Sequence, residues 1–486
     1  MTALPAGVPT DLFIDGRWRP GGGGRRFVVD DPATGAELAQ VADATDADAR
    51  AALDAAAGAA ESWRRTAPRV RSELLRRGYE AIMARADDFA LLMTLEMGKP
   101  LAEARGEVAY GAEFLRWFAE EAVRGYGRYS AAPDGGQRML VTKRPVGPCL
   151  LITPWNFPLA MATRKSAPAL AAGCTVVIKP AALTPLTTLL FAQVMQEVGL
   201  PDGVINVIPT SHSGPVTAPL FDDPRLRKLS FTGSTEVGRT LLRQAATGIL
   251  RTSMELGGNA PFVVFDDADV EAAVTGAFNA KLRNGGQACT AANRFYVQAG
   301  IAEEFTTRLA ERVAALRVGP GVEPDTQLGP VIDASARERI AGLVSEASAA
   351  GARVLTGGAS LDRPGWFYQP TVLADVPTGA RVMTEEIFGP VAPISTFATE
   401  DDAVALANGT PFGLISYVFT KNLSRSLRLS ERIETGMLAV NAGVISNPAA
   451  PFGGVKHSGL GREGSVEGME EFLETVYVGI ADPFAG

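Results

Sequence analysis

Histidine is nearly absent from this chain. Its 486 residues include only His212 and His457, and only three cysteines: Cys149, Cys174 and Cys289. A Ser-His-Asp triad, a histidine-rich metal centre or a disulfide framework would have to be built from almost nothing. No two cysteines stand at a C-x-x-C spacing, which argues against structural zinc and thioredoxin-like chemistry. A basic excess is missing too: 46 Lys and Arg stand against 54 Asp and Glu, for a net charge of −8. That speaks against a nucleic-acid scaffold. No apolar run reaches the roughly 18 residues of a membrane span. The longest candidate, 149–163, is broken by Pro154, Asn156 and Pro158. The opening MTALPAGVPTDLFIDGRW lacks a basic start followed by an apolar run, so it does not read as a signal peptide. These absences predict a cytoplasmic protein with reduced thiols and no nucleic-acid or membrane partner.

What is present is an ordinary globular balance, 46% hydrophobic and 21% charged, with enough chain for about three lobes. Residues 12–43 read as short strands and turns, with Gly21 to Gly24 as a flexible turn rather than a phosphate loop. From Asp46 to about Trp117 the pattern is helical. Residues 139–145 read as an exposed strand. Short β-rich runs follow (GPCLLITPW, CTVVIKP, GVINVIP, RKLSFTG), separated by helical stretches. A second alternating set begins at NAPFVVFDD and ends at GMLAVNAG. Such alternation predicts an α/β protein with parallel sheets, in two lobes whose border lies near Leu256–Asn259.

Three polar residues stand at strand ends, where open parallel sheets gather ligands. Asn156 can donate an amide hydrogen to an oxyanion, between Trp155 and Phe157, which can line an apolar pocket. Lys179 ends the next strand. Ser234 follows Gly233 at a strand–turn–helix junction whose free N–H groups suit an anion. Gly233 and Gly238 also have P-loop spacing, but Arg239 occupies the place of the P-loop lysine, so a P-loop nucleotide-binding protein is the weaker reading. Gly459, Gly461 and Gly464 spell G-x-G-x-x-G without the strand before and acidic residue after that a dinucleotide fingerprint needs. DDADV at 266–270 reads as a helix cap rather than a metal cluster. Cys149 and Cys174 lie in apolar strands as small core residues. Cys289, in the polar, glycine-rich KLRNGGQACTAANR, is the one good nucleophile candidate. A thiol is mostly protonated near pH 7 and needs a base or a positive site. Neither histidine can be paired with it from sequence, and Glu255 in SMELGGNAP is the carboxylate candidate, weighed against a structural role.

Taken together these motifs resemble the aldehyde dehydrogenase superfamily. The likeness runs along essentially the whole chain: FIDGRW, PWNFP, KP near residue 180, FTGSTEVG, ELGGNAP, GQACTAANR, EEIFGP and PFGGVKHSGLGREG stand in the family's order and spacing. The resemblance implies a mechanism. Cys289 attacks an aldehyde, and the Asn156 amide and the Cys289 N–H hold the oxyanion. Hydride passes to a nicotinamide, and Glu255 activates water to hydrolyse the thioester. It also implies cofactor contacts at Trp155, Lys179, Ala182, Gly233, Ser234, Glu386 and Phe388, and no metal. Within the superfamily the chain is most similar to the succinate-semialdehyde dehydrogenases, through WNFPLAMATRKSAPALAAGC, LRNGGQAC and GVISNPAAPFGG. That similarity implies an aldehyde carrying a carboxylate, bound by Arg164, Arg283 and Ser446. Glutarate semialdehyde, one methylene longer, is the nearest rival, since a methylene changes discrimination by only about 1–3 kcal/mol.

Two departures from relatives carry consequences. Ala291 replaces a second cysteine, which removes a redox-sensitive disulfide. Ala182 replaces a glutamate that binds the adenosine ribose, so NADP is expected to be preferred, with NAD as the alternative. The implied organisation is an aldehyde dehydrogenase-like α/β fold. A Rossmann-like cofactor domain takes 1–125 and 146–256, and a catalytic domain 257–460. A small β oligomerisation arm takes 126–145 and 461–486. The arm implies a homodimer or homotetramer.

Overall fold

The computed structural model describes residues 2–484. Met1 of the expected 1–125 segment, and Ala485 and Gly486 of the expected 461–486 segment, lie outside the described residues.

Four helices form the first layer: Asp46–Arg65, Pro68–Ala84, Ala86–Met97 and Leu101–Glu121. The first begins at a capping box. Thr45 Oγ1 accepts from the Asp48 N–H, and the Thr45 N–H donates to Asp48, which satisfies two groups that a helix end leaves free. The short runs between 149 and 255 become the heart of an eight-stranded sheet. Its central order is Ile205–Val207, Val176–Lys179, Cys149–Ile152, Lys228–Thr232 and Arg251–Glu255, all parallel. Antiparallel strands close both edges: Leu12–Ile14 with Arg17–Arg19 on one, Gly459–Leu460 on the other. Of the three glycines of SGLGREG, Gly459 lies in that edge strand, Gly461 follows it, and Gly464 precedes the helix Ser465–Glu470.

A second sheet of seven strands runs Arg353–Thr356, Thr371–Ala374, Val391–Phe397, Ala292–Gln298, Ala260–Val264, Ile415–Phe419 and Met437–Val440. Thr371–Ala374 was not anticipated, because four buried residues are too few to show a period. Phe262 sits at its centre, with the Phe295, Tyr417 and Phe419 rings 5.0 to 5.7 Å away. Between Glu255 and Ala260 the chain leaves one sheet and enters the other. Asp269 caps the helix Val270–Leu282 by accepting from the Ala272 N–H.

Arg128–Ala131, Gln137–Pro145 and Leu473–Ala481 form a separate three-stranded sheet. Its share of the chain's end is narrower than 461–486. The helix Ser465–Glu470 instead packs on Pro158–Ala172 and Leu101–Glu121, and Glu463 is buried there.

The helical layer positions the first sheet's two central helices. Pro158–Ala172 and Leu186–Glu197 follow Phe157 and Pro185, which offer no side-chain cap. Glu107 and Glu96 reach across instead. Glu107 accepts from the N–H groups of Leu159 and Ala160, and Glu96 from those of Leu186 and Thr187. Carboxylates at a helix N-terminus satisfy free donors and complement the helix dipole.

Candidate active site

Asn156, Lys179, Ser234 and Glu255 all sit at or just beyond the carboxyl ends of adjacent parallel strands. Cys289 arrives from the other lobe on a tight loop. Asn284, Gly285 and Gly286 take three successive left-handed conformations, with φ of 56°, 62° and 73°. A side chain at Gly286 would meet the Gly389 carbonyl at 2.2 Å, and one at Gly258 would meet the Cys289 carbonyl at 2.6 Å. The two glycines allow the Cys289 loop to lie against backbone from both sides.

Asn156, Glu255 and Cys289 line one cavity of about 360 Å³, together with Trp155, Gly233, Ser234, Glu386 and Phe388. Trp155 and Phe388 meet edge to face at 5.4 Å. Asn156 Nδ2 donates to the Gln287 carbonyl at 3.0 Å. Both Glu255 oxygens and the Thr232 hydroxyl are buried without a protein partner. A larger, open groove of about 730 Å³ at the opposite strand ends holds none of these residues.

The electrostatics are those of an enclosed site. Burial pushes the Cys289 thiol up to about 12, against the pull of Arg164. Burial and the nearby Glu463 hold the Glu255 carboxyl well above the usual carboxylate range, with Arg164 and Lys165 opposing. Burial raises Glu386 to about 7, although the Gly258 N–H donates to it. Lys179 is pushed down to about 8 by burial; its ammonium donates to Ser213 Oγ at 2.7 Å. Ala182 lies half-buried in the loop just after it.

The family model for the aldehyde dehydrogenase family matches residues 18–478. This chain belongs to the aldehyde dehydrogenase family. It is 62% identical to the succinate-semialdehyde dehydrogenase of Paenarthrobacter nicotinovorans, over 92% of this chain and 99% of that one. It is 48% identical to the NADP(+) succinate-semialdehyde dehydrogenase GabD of Escherichia coli, over 96% of each. It is 47% identical to a glutarate-semialdehyde dehydrogenase of Pseudomonas aeruginosa, again over 96% of each. The crystal structure of an aldehyde dehydrogenase from Brucella melitensis biovar abortus superposes with a TM-score of 0.97, at 48% identity and 99% coverage of both chains.

The crevice of this aldehyde dehydrogenase fits a nicotinamide dinucleotide. Thr232 offers an unused hydroxyl. Gly257 leaves room beside Glu386, where a side chain would meet the carboxylate at 2.8 Å. Ser234 caps the 13-residue helix Thr235–Thr247 by accepting from the Val237 N–H, so the helix N-terminus opens toward the cavity. Arg239, the residue that weakened the P-loop reading, turns to His457, with Nη2 at 3.2 Å from Nδ1.

One expected grouping is divided. Arg283 and Ser446 line a second cavity of about 340 Å³, beside Tyr110 and Phe157, and the Arg283 guanidinium lies over the Phe157 ring. Arg164 is not with them as a free cation. It is 1% exposed, ion-paired with Glu463 and stacked on Phe452. Sequence spacing showed a nearby arginine but not its partner, which lies about 300 positions along the chain. Reading by residue also missed Lys165 and Glu463, whose buried ion pair stands behind Glu255, and Arg339, which holds the carbonyls of Glu386 and Ile387. Nothing local marks any of the three.

Proposed function

We propose that this aldehyde dehydrogenase oxidises succinate semialdehyde to succinate with NADP in preference to NAD. The observation that carries the reading is the convergence of Asn156, Glu255 and Cys289 on one cavity, with Arg283 and Ser446 lining its neighbour. The names of the relatives at 62% and 48% identity support the substrate.

The resting thiol of Cys289 is protonated, so its attack requires that the proton leave to solvent water, in the positive field of Arg164. Sulfur then bonds to the aldehyde carbon. The carbonyl oxygen takes the negative charge and is held by the Asn156 amide and the Cys289 N–H. A nicotinamide cofactor, once bound, would supply the hydride acceptor, and Lys179, Ser234 and Glu386, with Trp155 and Phe388, would hold it. Loss of hydride leaves a thioester on Cys289. Glu255 takes a proton from water, the hydroxyl adds to the acyl carbon, and the Cys289–carbon bond breaks to release the acid. Arg283 and Ser446 hold the substrate carboxylate. Arg164, paired with Glu463, adds positive field near Cys289 rather than a second guanidinium grip.

NADP preference rests on Lys179, whose buried ammonium has a hydroxyl partner, and on Ala182, which presents no charge to repel a 2′-phosphate. The name of the Escherichia coli relative agrees. The enzyme is read further as cytoplasmic, on its three free thiols, and as a homodimer or homotetramer. The oligomer reading rests on the three-stranded sheet, whose outer strand Arg128–Ala131 is exposed throughout, with Tyr129, Tyr477 and Ile480 open to solvent. The first lobe with its helical layer is assigned to the cofactor and the second to Cys289.

The deciding experiment compares kcat/KM for succinate semialdehyde, glutarate semialdehyde and simple alkyl aldehydes, each with NADP and NAD. Succinate semialdehyde with NADP is expected to lead. Alkyl aldehydes outrunning both semialdehydes would overturn the carboxylate assignment.

A further inference from the structure

Lys99 and Glu107 form an ion pair with each side chain 1% exposed. Such pairs are poorly explained by stability, because apolar residues of similar volume often serve as well or better. This one stands directly behind the oxyanion amide. Lys99 follows Gly98, whose φ of 94° ends the helix Ala86–Met97. Its ammonium reaches Glu107 on the next helix and donates to the backbone carbonyl of Asn156 at 2.9 Å. The Phe157 ring lies 4.3 Å from the same nitrogen. Glu107 in turn accepts from the N–H groups of Leu159 and Ala160 at 3.0 and 3.2 Å. These are the first free donors of the helix that follows Asn156. Asn284, the first residue of the left-handed turn before Cys289, donates to the same Asn156 carbonyl at 3.0 Å.

The carbonyl on one side of residue 156 and the helix N-terminus on the other are therefore gripped by one charged pair from a different layer. The Asn156 side chain itself carries one hydrogen bond, to Gln287. Where its second amide hydrogen points is set by where its backbone is held. Misplacement of a reacting group by about 1 Å can cost roughly 100-fold in rate.

We propose that Lys99 and Glu107 are positioning residues for the oxyanion amide, acting through the Asn156 backbone; this rests on the reading of Asn156 given above. The test is a double-mutant cycle on the full-length enzyme, reading the single-turnover rate of hydride transfer at saturating succinate semialdehyde. Lys99→Met is expected to slow that rate at least about tenfold with the aldehyde KM within about twofold, and Lys99→Arg to restore most of it. In an Asn156→Ala background, Lys99→Met is expected to cost less than about twofold more, because residues acting as one unit are not additive. Should Lys99→Met fail to fold by stranding the Glu107 charge, Lys99→Met with Glu107→Gln removes both charges and enters the same cycle. An equal proportional loss in both backgrounds, or a wild-type rate in the variants, overturns the proposal. A hydride step unchanged by Asn156→Ala alone overturns the reading of Asn156 instead.

Discussion

Asn156 and Gln287 are tied by a single hydrogen bond of 3.0 Å, from the Asn156 amide nitrogen to the Gln287 carbonyl. A carboxamide nitrogen carries two hydrogens, so one anchors the side chain to the Cys289 loop and one is left for the cavity. Asn156→Ala removes both anchor and donor. Steady-state kinetics are expected to show kcat down by about 10²–10³-fold, the usual cost of one oxyanion donor.

On the proposed mechanism Glu255 acts in the second half of the reaction, and its protonation is expected to set the pH profile. Burial and Glu463 raise its pKa, so the neutral acid, which cannot accept a proton, persists above the usual carboxylate range. Acyl release is therefore expected to accelerate as pH rises through the raised value. Glu255→Gln is expected to retain a hydride burst in stopped-flow, to lower kcat, and to flatten the rise of kcat with pH.

Arg283 and Arg164 are predicted to behave differently despite their similar chemistry. Arg283→Ala removes a charged hydrogen-bond donor from the second cavity, worth about 1.5–3 kcal/mol. The KM for succinate semialdehyde is expected to rise roughly 10- to 100-fold, while alkyl aldehydes are unaffected. Arg164→Ala leaves Glu463 with only Lys165. It is expected to lower the melting temperature as well as activity toward every aldehyde.

Cofactor choice is expected to turn on residue 182. Ala182→Glu adds a carboxylate three residues after Lys179, which is expected to accept from a ribose hydroxyl but to repel a phosphate. The ratio of kcat/KM for NADP to that for NAD is expected to fall at least about tenfold, which corresponds to about 1.4 kcal/mol. A ratio that does not move would show that selectivity lies elsewhere.

Glu96 gives the fold a pH dependence away from the active site. Burial raises its pKa from 4.5 to about 7. Between those values the unfolded chain has lost the proton that the folded chain keeps, so stability falls as pH rises. At about 1.36 kcal/mol per pK unit the full loss is roughly 3 kcal/mol. The melting-temperature difference between wild type and Glu96→Ala is expected to be larger at pH 5.5 than at pH 8.

The sequence by itself determined the class of protein and supplied the candidates for the chemistry of its centre. Strand and helix periods are local, so the alternation from residue 149 to 440 was visible as parallel sheets. Cys289, Glu255 and Asn156 stand in short motifs whose spacing was legible, and scarcity of histidine left a thiol and a carboxylate as the candidate pair. Tertiary structure decided what those residues touch. Arg164 meets Glu463 across about 300 positions, Lys99 meets the Asn156 carbonyl across 57, and Glu96 caps a helix 90 positions away. Such pairings arise because buried charges and free helix donors must find partners wherever packing brings them, and no local pattern records that search. A buried charge is chosen by its surroundings, and its surroundings exist only once the chain has folded.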